Sequence, residues 1–296
     1  NKPNALRPRP DFVMLHSMKP IIVLYHKNCT DGFGAAWAAW MKFGDAADYL
    51  PVIHQEAPPE AAEGKEVYLV DFCYDESVMK ALIAKNGRVT ALDHHAMREP
   101  AVRLTNGGVF DNARSGSTIA WGYFHPDEAV PALLRYVEDG DLWLRALPQA
   151  KEIGAYVNFV PQEFAAWETL AKEIETGFEA CAERGRIILA SEEQLMDEII
   201  EENAEEVIFE GYRVLAVNSP CFRSEIGHKL ATRQPPFGII WDRRKGKIVV
   251  SLRPIGDFDV AAIAIKYGGG GHTFAAGFTI TGDAPVPWKT AVSGKK

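Results

Sequence analysis

Cysteine is sparse in this chain and never paired. Cys29, Cys73, Cys181 and Cys221 are scattered without a C-x-x-C spacing, which argues against a disulfide framework and a zinc knuckle and suits reduced thiols in a cytoplasm. Long apolar runs are missing too. A bilayer span needs about twenty such residues, and the segment IIVLY is only long enough for a buried strand. The first residues show no charged segment followed by an apolar stretch and a small-residue cleavage site, so no secretory signal is expected. Basic excess is also absent: 32 Lys and Arg stand against 40 Asp and Glu, a formal net charge of -8. Long duplex nucleic acid, whose binding draws on counterion release by many cations, is therefore not an expected partner, whereas a short substrate held by a few local contacts is compatible. Neither an internal repeat nor a low-complexity tract is found.

What is present is the balance of a globular protein: 296 residues, 47% hydrophobic and 24% charged, enough for two domains with separate cores. Residues 1–19 read as a flexible leader. From 20 to 147, short apolar runs (IIVLYH, VYLVDF, RVTALDHH) alternate with helical stretches (GFGAAWAAWMKFG, ESVMKALIAKN, SGSTIAWGYF, VPALLRYVEDGDLW), the pattern of an α/β domain with a mainly parallel sheet. Residues 148–206 are helix-rich and charged, with FAAWETLAKEIE and EEQLMDEIIEENAEEV as the best amphipathic segments, and read as a helical connector with solvated faces. Strand signals return over 207–283 in YRVLAVN, FGIIWD and KIVVSLRP, with RRKG as a hairpin turn and DFDVAAIAIKYG as a helix. This is a smaller C-terminal α/β domain. Residues 284–296 are polar and read as a flexible tail.

Three predicted strands end in ionisable clusters: His26 and Asp31 after IIVLY, Asp71 after VYLV, and Asp93-His94-His95 after RVTAL. In a parallel sheet these ends share one edge, where open α/β folds bind ligands. Carboxylates crowded there repel one another unless a cation neutralises them. Aspartate oxygens and histidine nitrogens without a thiolate pair suit manganese or a similar ion better than structural zinc, and two such ions would form the clamp used for in-line phosphoryl displacement. Singly, each cluster also reads as a helix cap or turn; three at successive strand ends favour a site. Elsewhere, the glycines before His272 in GGGGHTFAAGF expose backbone amides that can cradle a phosphate or a base edge, although a glycine run alone is more often a flexible turn. Arg114 and Ser115-Gly116-Ser117-Thr118 in DNARSGSTIAW can attract an anion to a helix N-terminus, with capping as the alternative. Trp37, Trp40 and Trp121 lie in apolar helical patterns and read as core.

The ordered motifs HKNCTDGFGAAWA, LVDF, LDHH and VEDGDLW resemble those of the DHH phosphoesterase superfamily, and GGGHTFAAG resembles the GGGH-x-x-A-A-G pattern of its DHH-associated C-terminal domain. The resemblance runs from Pro20 to about Thr281. It implies that His26, Asp31 and Asp71 are metal ligands, Asp71 as a bridge, with His94 the direct ligand from the triplet. His95 would contact the scissile phosphate and Asp93 would orient its neighbours. Asp139 in VEDGDLW matches the fourth-motif ligand, with Asp141 the alternative if the register slips by two. Gly269, Gly270, Gly271 and His272, with Arg253 of SLRP, would bind substrate, and the active site would lie in the cleft between the two domains. One departure is visible: where the family carries D-x-D-G, this chain has Cys29-Thr30-Asp31-Gly32. Cys29 either binds a soft metal, stands by, or leaves one ion position weak. One or two Mn2+ ions are expected, with Mg2+ or Co2+ as alternatives.

The resemblance therefore implies a phosphodiesterase that uses a metal-activated water to hydrolyse short RNA or DNA oligonucleotides or dinucleotides to mononucleotides, in the manner of nano-RNases and oligoribonucleases. A phosphodiesterase or phosphatase for a signalling nucleotide (a cyclic dinucleotide or adenosine 3′,5′-bisphosphate) is the alternative, and a non-catalytic nucleotide sensor a more distant one. No membrane partner is expected; a homodimer is compatible.

Overall fold

The computed structural model describes residues 19–53, 56–244, 246–282 and 284–291. All of the expected leader except Lys19 lies outside them, as do residues 292–296 of the expected tail. The chain divides into two compact units, Asn1–Leu189 and Ala190–Lys296.

The first unit contains β1 (Ile21–His26), α1 (Thr30–Phe43), β2 (Ala47–Val52), β3 (Glu66–Val70), α2 (Glu76–Lys85), β4 (Arg88–Asp93), α3 (Glu99–Val102), β5 (Val109–Phe110), α4 (Gly116–Phe124), α5 (Ala132–Asp141), α6 (Ala150–Phe159) and α7 (Phe164–Thr176). Its five strands are parallel in the order β2-β1-β3-β4-β5. Successive strand residues point to opposite faces, and both faces are covered. Val23, Val70 and Leu92 pack with α1, α4, α5, α6 and α7, whereas Ile22, Leu24, Leu69 and Val89 pack with α2 and α3. Burial on both sides explains why these strands read as continuous apolar runs. Edge strand β2 escaped the sequence pattern because Pro51 interrupts it, and an edge is where a strand tolerates proline.

The stretch 148–206 is helical as far as Asn203, but its buried residues belong to two separate cores. Ile153, Val157, Trp167, Leu170 and Ile174 lie in the core that holds Trp37, Ile119 and Leu133. The long helix α8 (Phe178–Asn203) contains the division between units, and its Met196 and Ile200 pack with Val217, Ile226 and Ile240.

The second unit continues with β6 (Glu205–Phe209), β7 (Tyr212–Asn218), α9 (Arg223–Arg233), β8 (Phe237–Arg244), β9 (Lys247–Pro254), α10 (Val260–Lys266), β10 (Gly270–His272), β11 (Ala275–Thr281) and β12 (Lys289–Thr290). The sheet order is β10-β11-β9-β8-β7-β6-β12, antiparallel except between β7 and β8. Three expectations are corrected here. Glu205 and Glu206 are not the end of a charged helix but open a strand whose Val207 and Phe209 point into the core. GGGGHTFAAGF is a strand pair rather than a loop, with Gly270 opposite Gly277 and His272 opposite Ala275. The segment after residue 283 is not frayed throughout: Trp288 is buried and Lys289–Thr290 pairs with β6.

Candidate metal centre

β1 ends at His26, and α1 begins four residues on with Cys29 at its cap. This entry is close. A Cβ on Gly32 would stand 2.3 Å from the His26 carbonyl oxygen, so only glycine lets the helix start there. Asp31, in the first turn of α1, is buried, and its carboxylate receives the Gly116 N–H (2.6 Å) and the Ser117 N–H (3.0 Å). It therefore sits on the N-terminus of α4, where unpaired amides and the helix dipole stabilise an anion.

Asp71, just beyond β3, holds a left-handed backbone with φ of 59°. For a non-glycine residue that costs on the order of 1 kcal/mol or more. Its Oδ2 lies 3.3 Å from His26 Nδ1 and its Oδ1 lies 3.3 Å from His94 Nε2. The same His94 nitrogen is 3.7 Å from Asp141 Oδ2 and 3.9 Å from Asp31 Oδ2. Fully buried Asp93 accepts the backbone N–H of His94 (2.8 Å) and His95 (3.2 Å) on Oδ1, which also meets His95 Nδ1 at 2.7 Å. Asp93 thus orients the two histidines after it.

Three donor groups result, each with one atom per residue within 4.8 Å of the others: Asp71, Asp93, His94 and His95; His26, Cys29 and Asp71; and Asp31, His94 and Asp141. Asp71 belongs to the first two and His94 to the first and third. Asp93 Oδ2 is buried without a hydrogen-bond donor, and buried Asp71 Oδ1 has only the His94 ring nitrogen at 3.3 Å, a state that is costly for a carboxylate unless a cation completes it. The donor set of carboxylate oxygens and imidazole nitrogens, with one thiol, fits a divalent ion.

The ionisation of these groups reflects the crowding. Burial raises the Asp31 carboxyl well above its usual range, and the charges of Asp71 and Asp141 push it further. Asp141 is raised by burial and then by Asp71. For Asp71, burial acts upward but is outweighed by hydrogen bonds from His26 and His94, so it stays below the usual carboxylate range. Burial would depress His94, yet its hydrogen bond to Asp71 and the surrounding carboxylates raise it to about 9. His95 is raised in the same way, its burial overcome by Asp93. The Cys29 thiol is pushed well up by burial and by Asp71 and Asp31, and so is neutral while no cation is bound.

Of the residues expected as ligands, His26, Cys29, Asp31, Asp71 and His94 come together, along with Asp93 and His95. Asp139 does not. Its Oδ1 instead accepts the N–H groups of Ala146 (2.8 Å) and Leu147 (3.3 Å), and it is Asp141, the alternative two residues on, that stands near His94. Ser115 is a second correction. It is buried, caps α4 through Thr118, bonds the Ser117 hydroxyl, and gives its own N–H to Glu138, so nothing of it is offered to an anion. Arg114 folds along the same helix and donates to the Thr118 carbonyl. Trp37 and Trp121 stack in the core, and Trp40 is half-buried with its Nε1–H on Glu168. Sequence reading missed Glu138, and took Gly116 only as part of a helix start that attracts an anion, not as the neighbour of Asp71. A Cβ on Gly116 would stand 2.6 Å from the Asp71 Cβ, while Glu138 fastens the start of α4 through Ser115 and Thr118; a glycine just past a predicted Ser cap was the available signal for the first.

In the second unit, half-buried Arg253 donates to the Ser224 hydroxyl (3.2 and 3.3 Å) and to the Leu252 carbonyl. His272 is exposed on β10. Gly269 and Gly271 are required by the strands: a Cβ on Gly269 would meet the Gly277 carbonyl oxygen at 2.1 Å, and Gly271 has φ of 140° with the Ala275 oxygen 2.4 Å from its would-be Cβ. Gly270 pairs between them.

A family model described as the DHHA1 domain matches residues 228–287. The uncharacterized protein R106 of Acanthamoeba polyphaga mimivirus is 30% identical over 286 residues, covering 88% of this chain and 68% of the viral protein. Oligoribonuclease NrnB of Bacillus subtilis (strain 168) is 26% identical over 295 residues, covering 87% of this chain and 72% of its own. Among solved structures, the DHH domain of a member of the s1p family of ribosomal proteins matches with a TM-score of 0.60 at 16% identity, over 89% of this chain and 82% of that one, a likeness of fold.

Proposed function

The chain belongs to the DHH phosphoesterase superfamily, and from that premise we propose that it is a divalent-metal-dependent phosphodiesterase that hydrolyses short oligonucleotides or dinucleotides to mononucleotides. The observation that carries the reading is Asp71, buried between His26 and His94 and shared by two donor groups. One ion would be held by His26, Cys29 and Asp71, and a second by Asp31, His94 and Asp141, with Mn2+ the expected metal. A divalent cation bound there neutralises the carboxylates, polarises the phosphoryl group and acidifies water.

The remaining steps belong to side chains. His95, fixed through Nδ1 by Asp93 and raised in basicity by it, presents its Nε2 edge to the phosphate and donates a proton to an oxygen on which charge develops. Asp31 is anchored by two amides of α4 and so holds its position as the phosphate changes shape, which keeps reorganisation small. Gly269, Gly270, Gly271, His272 and Arg253 are the candidate substrate-binding residues of the second unit. The relative named as an oligoribonuclease supports the choice of short RNA. The test is manganese-dependent release of mononucleotides from a dinucleotide and from short oligoribonucleotides. His94→Ala should abolish turnover without unfolding the protein; full activity in that variant would refute the assignment of His94.

A further inference from the structure

The loop after Asp141 is built in a way the hydrolytic site does not require. Trp143, Arg145 and Gln149 have φ of 57°, 52° and 49°, left-handed values that side chains rarely adopt, and such clusters are held only where the surroundings over-determine them. Asp139 does this from within. Its carbonyl oxygen accepts from Leu144 (3.0 Å) and Arg145 (3.3 Å), its Oδ1 accepts from Ala146 and Leu147, and it is itself buried. The outcome is a tied-down turn on which the Trp143 indole is partly exposed. Trp143 is 45% exposed, whereas the other six tryptophans, all among the described residues, are buried or half-buried. The Arg145 guanidinium lies 4.6 Å from the Trp143 ring centroid. Two residues earlier, Asp141 stands 3.7 Å from His94, so this pair is tied to the edge of the donor cluster.

We propose that Trp143 and Arg145 form a platform for the nucleotide beside the scissile phosphate, Trp143 stacking on its base and Arg145 meeting a neighbouring phosphate. The inference rests on the nucleotide reading above and narrows it: the preferred substrates carry a base next to the reacting phosphorus, and baseless phosphoesters or pyrophosphate lack the contact. Stacking suits any base, because every base has a π face. A guanidinium behind the ring adds a cation to the stack and can bond a phosphate in forked geometry. The Asp139 network fixes the backbone of the turn that carries Trp143 before substrate arrives, so less order is lost on binding.

The experiment follows a dinucleotide carrying 2-aminopurine, whose emission falls on stacking, and an otherwise identical dinucleotide with that base removed. Binding and turnover are measured for the wild type, Trp143→Ala, Trp143→Phe and Trp143→Leu, each checked for folding by circular dichroism. The wild type should quench the emission. Trp143→Ala should lose the quench, bind about tenfold more weakly and change KM more than kcat. Trp143→Phe should recover most of the affinity, and Trp143→Leu, which keeps bulk without a π face, should not. The base-free dinucleotide should bind the wild type as weakly as the intact one binds Trp143→Ala. Unchanged quench and affinity in both Trp143→Ala and Trp143→Leu would overturn the platform while leaving the phosphodiesterase reading intact. Quenching by a wild type that yields no product with any divalent ion would overturn the hydrolytic reading and leave the platform standing; no binding at all would overturn both.

Discussion

Asp139 and Asp141 show how finely residue roles divide within one helix. Asp141 joins the donor cluster through His94, while Asp139 ties down the following turn. Asp141→Asn should therefore lower metal affinity and activity on the order of 100-fold with the melting temperature kept, whereas Asp139→Ala, which strands two backbone N–H groups, should cost about 1–3 kcal/mol in a urea titration. Equal loss of stability in the two would contradict the division. The sequence could not separate them. Asp141 stands four residues after buried Val137, but Asp139 stands three after buried Tyr136, so both fall within the apolar arc and periodicity alone is silent. His26, Asp31, Asp71 and His94 were legible because each marks a strand end or the helix start beside it. Cys29 was legible as a departure, and the structure keeps it beside His26 and Asp71. Cys29→Asp should strengthen Mn2+ binding roughly tenfold, because it replaces a thiol that must lose a proton by a hard oxygen ligand; calorimetry of the ion-free protein measures this directly.

At the level of elements, helix α4 organises the centre by its N-terminus. Gly116 gives its amide to Asp31 and leaves room for Asp71. Gly116→Ala should force one of them aside, at about 1–3 kcal/mol of stability, and reduce activity more than the same change at Gly140, whose added Cβ meets nothing within 4 Å. Matching losses at both glycines would show that α4 is not held this tightly. The parallel strands of the first unit were legible as apolar runs, because burial on both faces leaves little alternation to misread. β6 was not. Its two glutamates continue the charge pattern of α8, and only the Glu210-Gly211 turn, with both φ values positive (52° and 84°), marks the two-residue hairpin that follows. The glycines before His272 misled for a related reason: glycine marks both a mobile turn and a place where strands approach closely.

Across the whole molecule, charge links ion binding to pH. His94, raised to about 9 from 6.5, stabilises the ion-free fold fully below its ordinary value, and that contribution is lost as pH rises through about 9. Asp31 and Asp141, held above the usual carboxylate range, likewise favour their protonated forms, so their contribution also declines as pH rises. Asp71 is held below that range, so its contribution is kept throughout and lost only in acid. The melting temperature of the ion-free protein should thus fall from about pH 6.5 to about 9, and the gain on adding Mn2+ should grow over the same interval. At pH 7, ion binding should release protons, seen as a dependence of binding heat on the buffer's ionisation enthalpy; heats independent of buffer would exclude the proposed protonation. None of the described helices is long and apolar enough to cross a membrane.

β1, β3 and β4 are adjacent in the sheet, and hydrogen-bonded strands lie about 4.8 Å apart. The anchor points of His26, Asp71 and His94 are consequently set by the pitch of the backbone ladder and not by the ion chosen. If the proposed hydrolysis is right, exchanging Mn2+ for Mg2+ or Co2+ should alter its speed and leave its products the same, because these anchor points belong to the main chain.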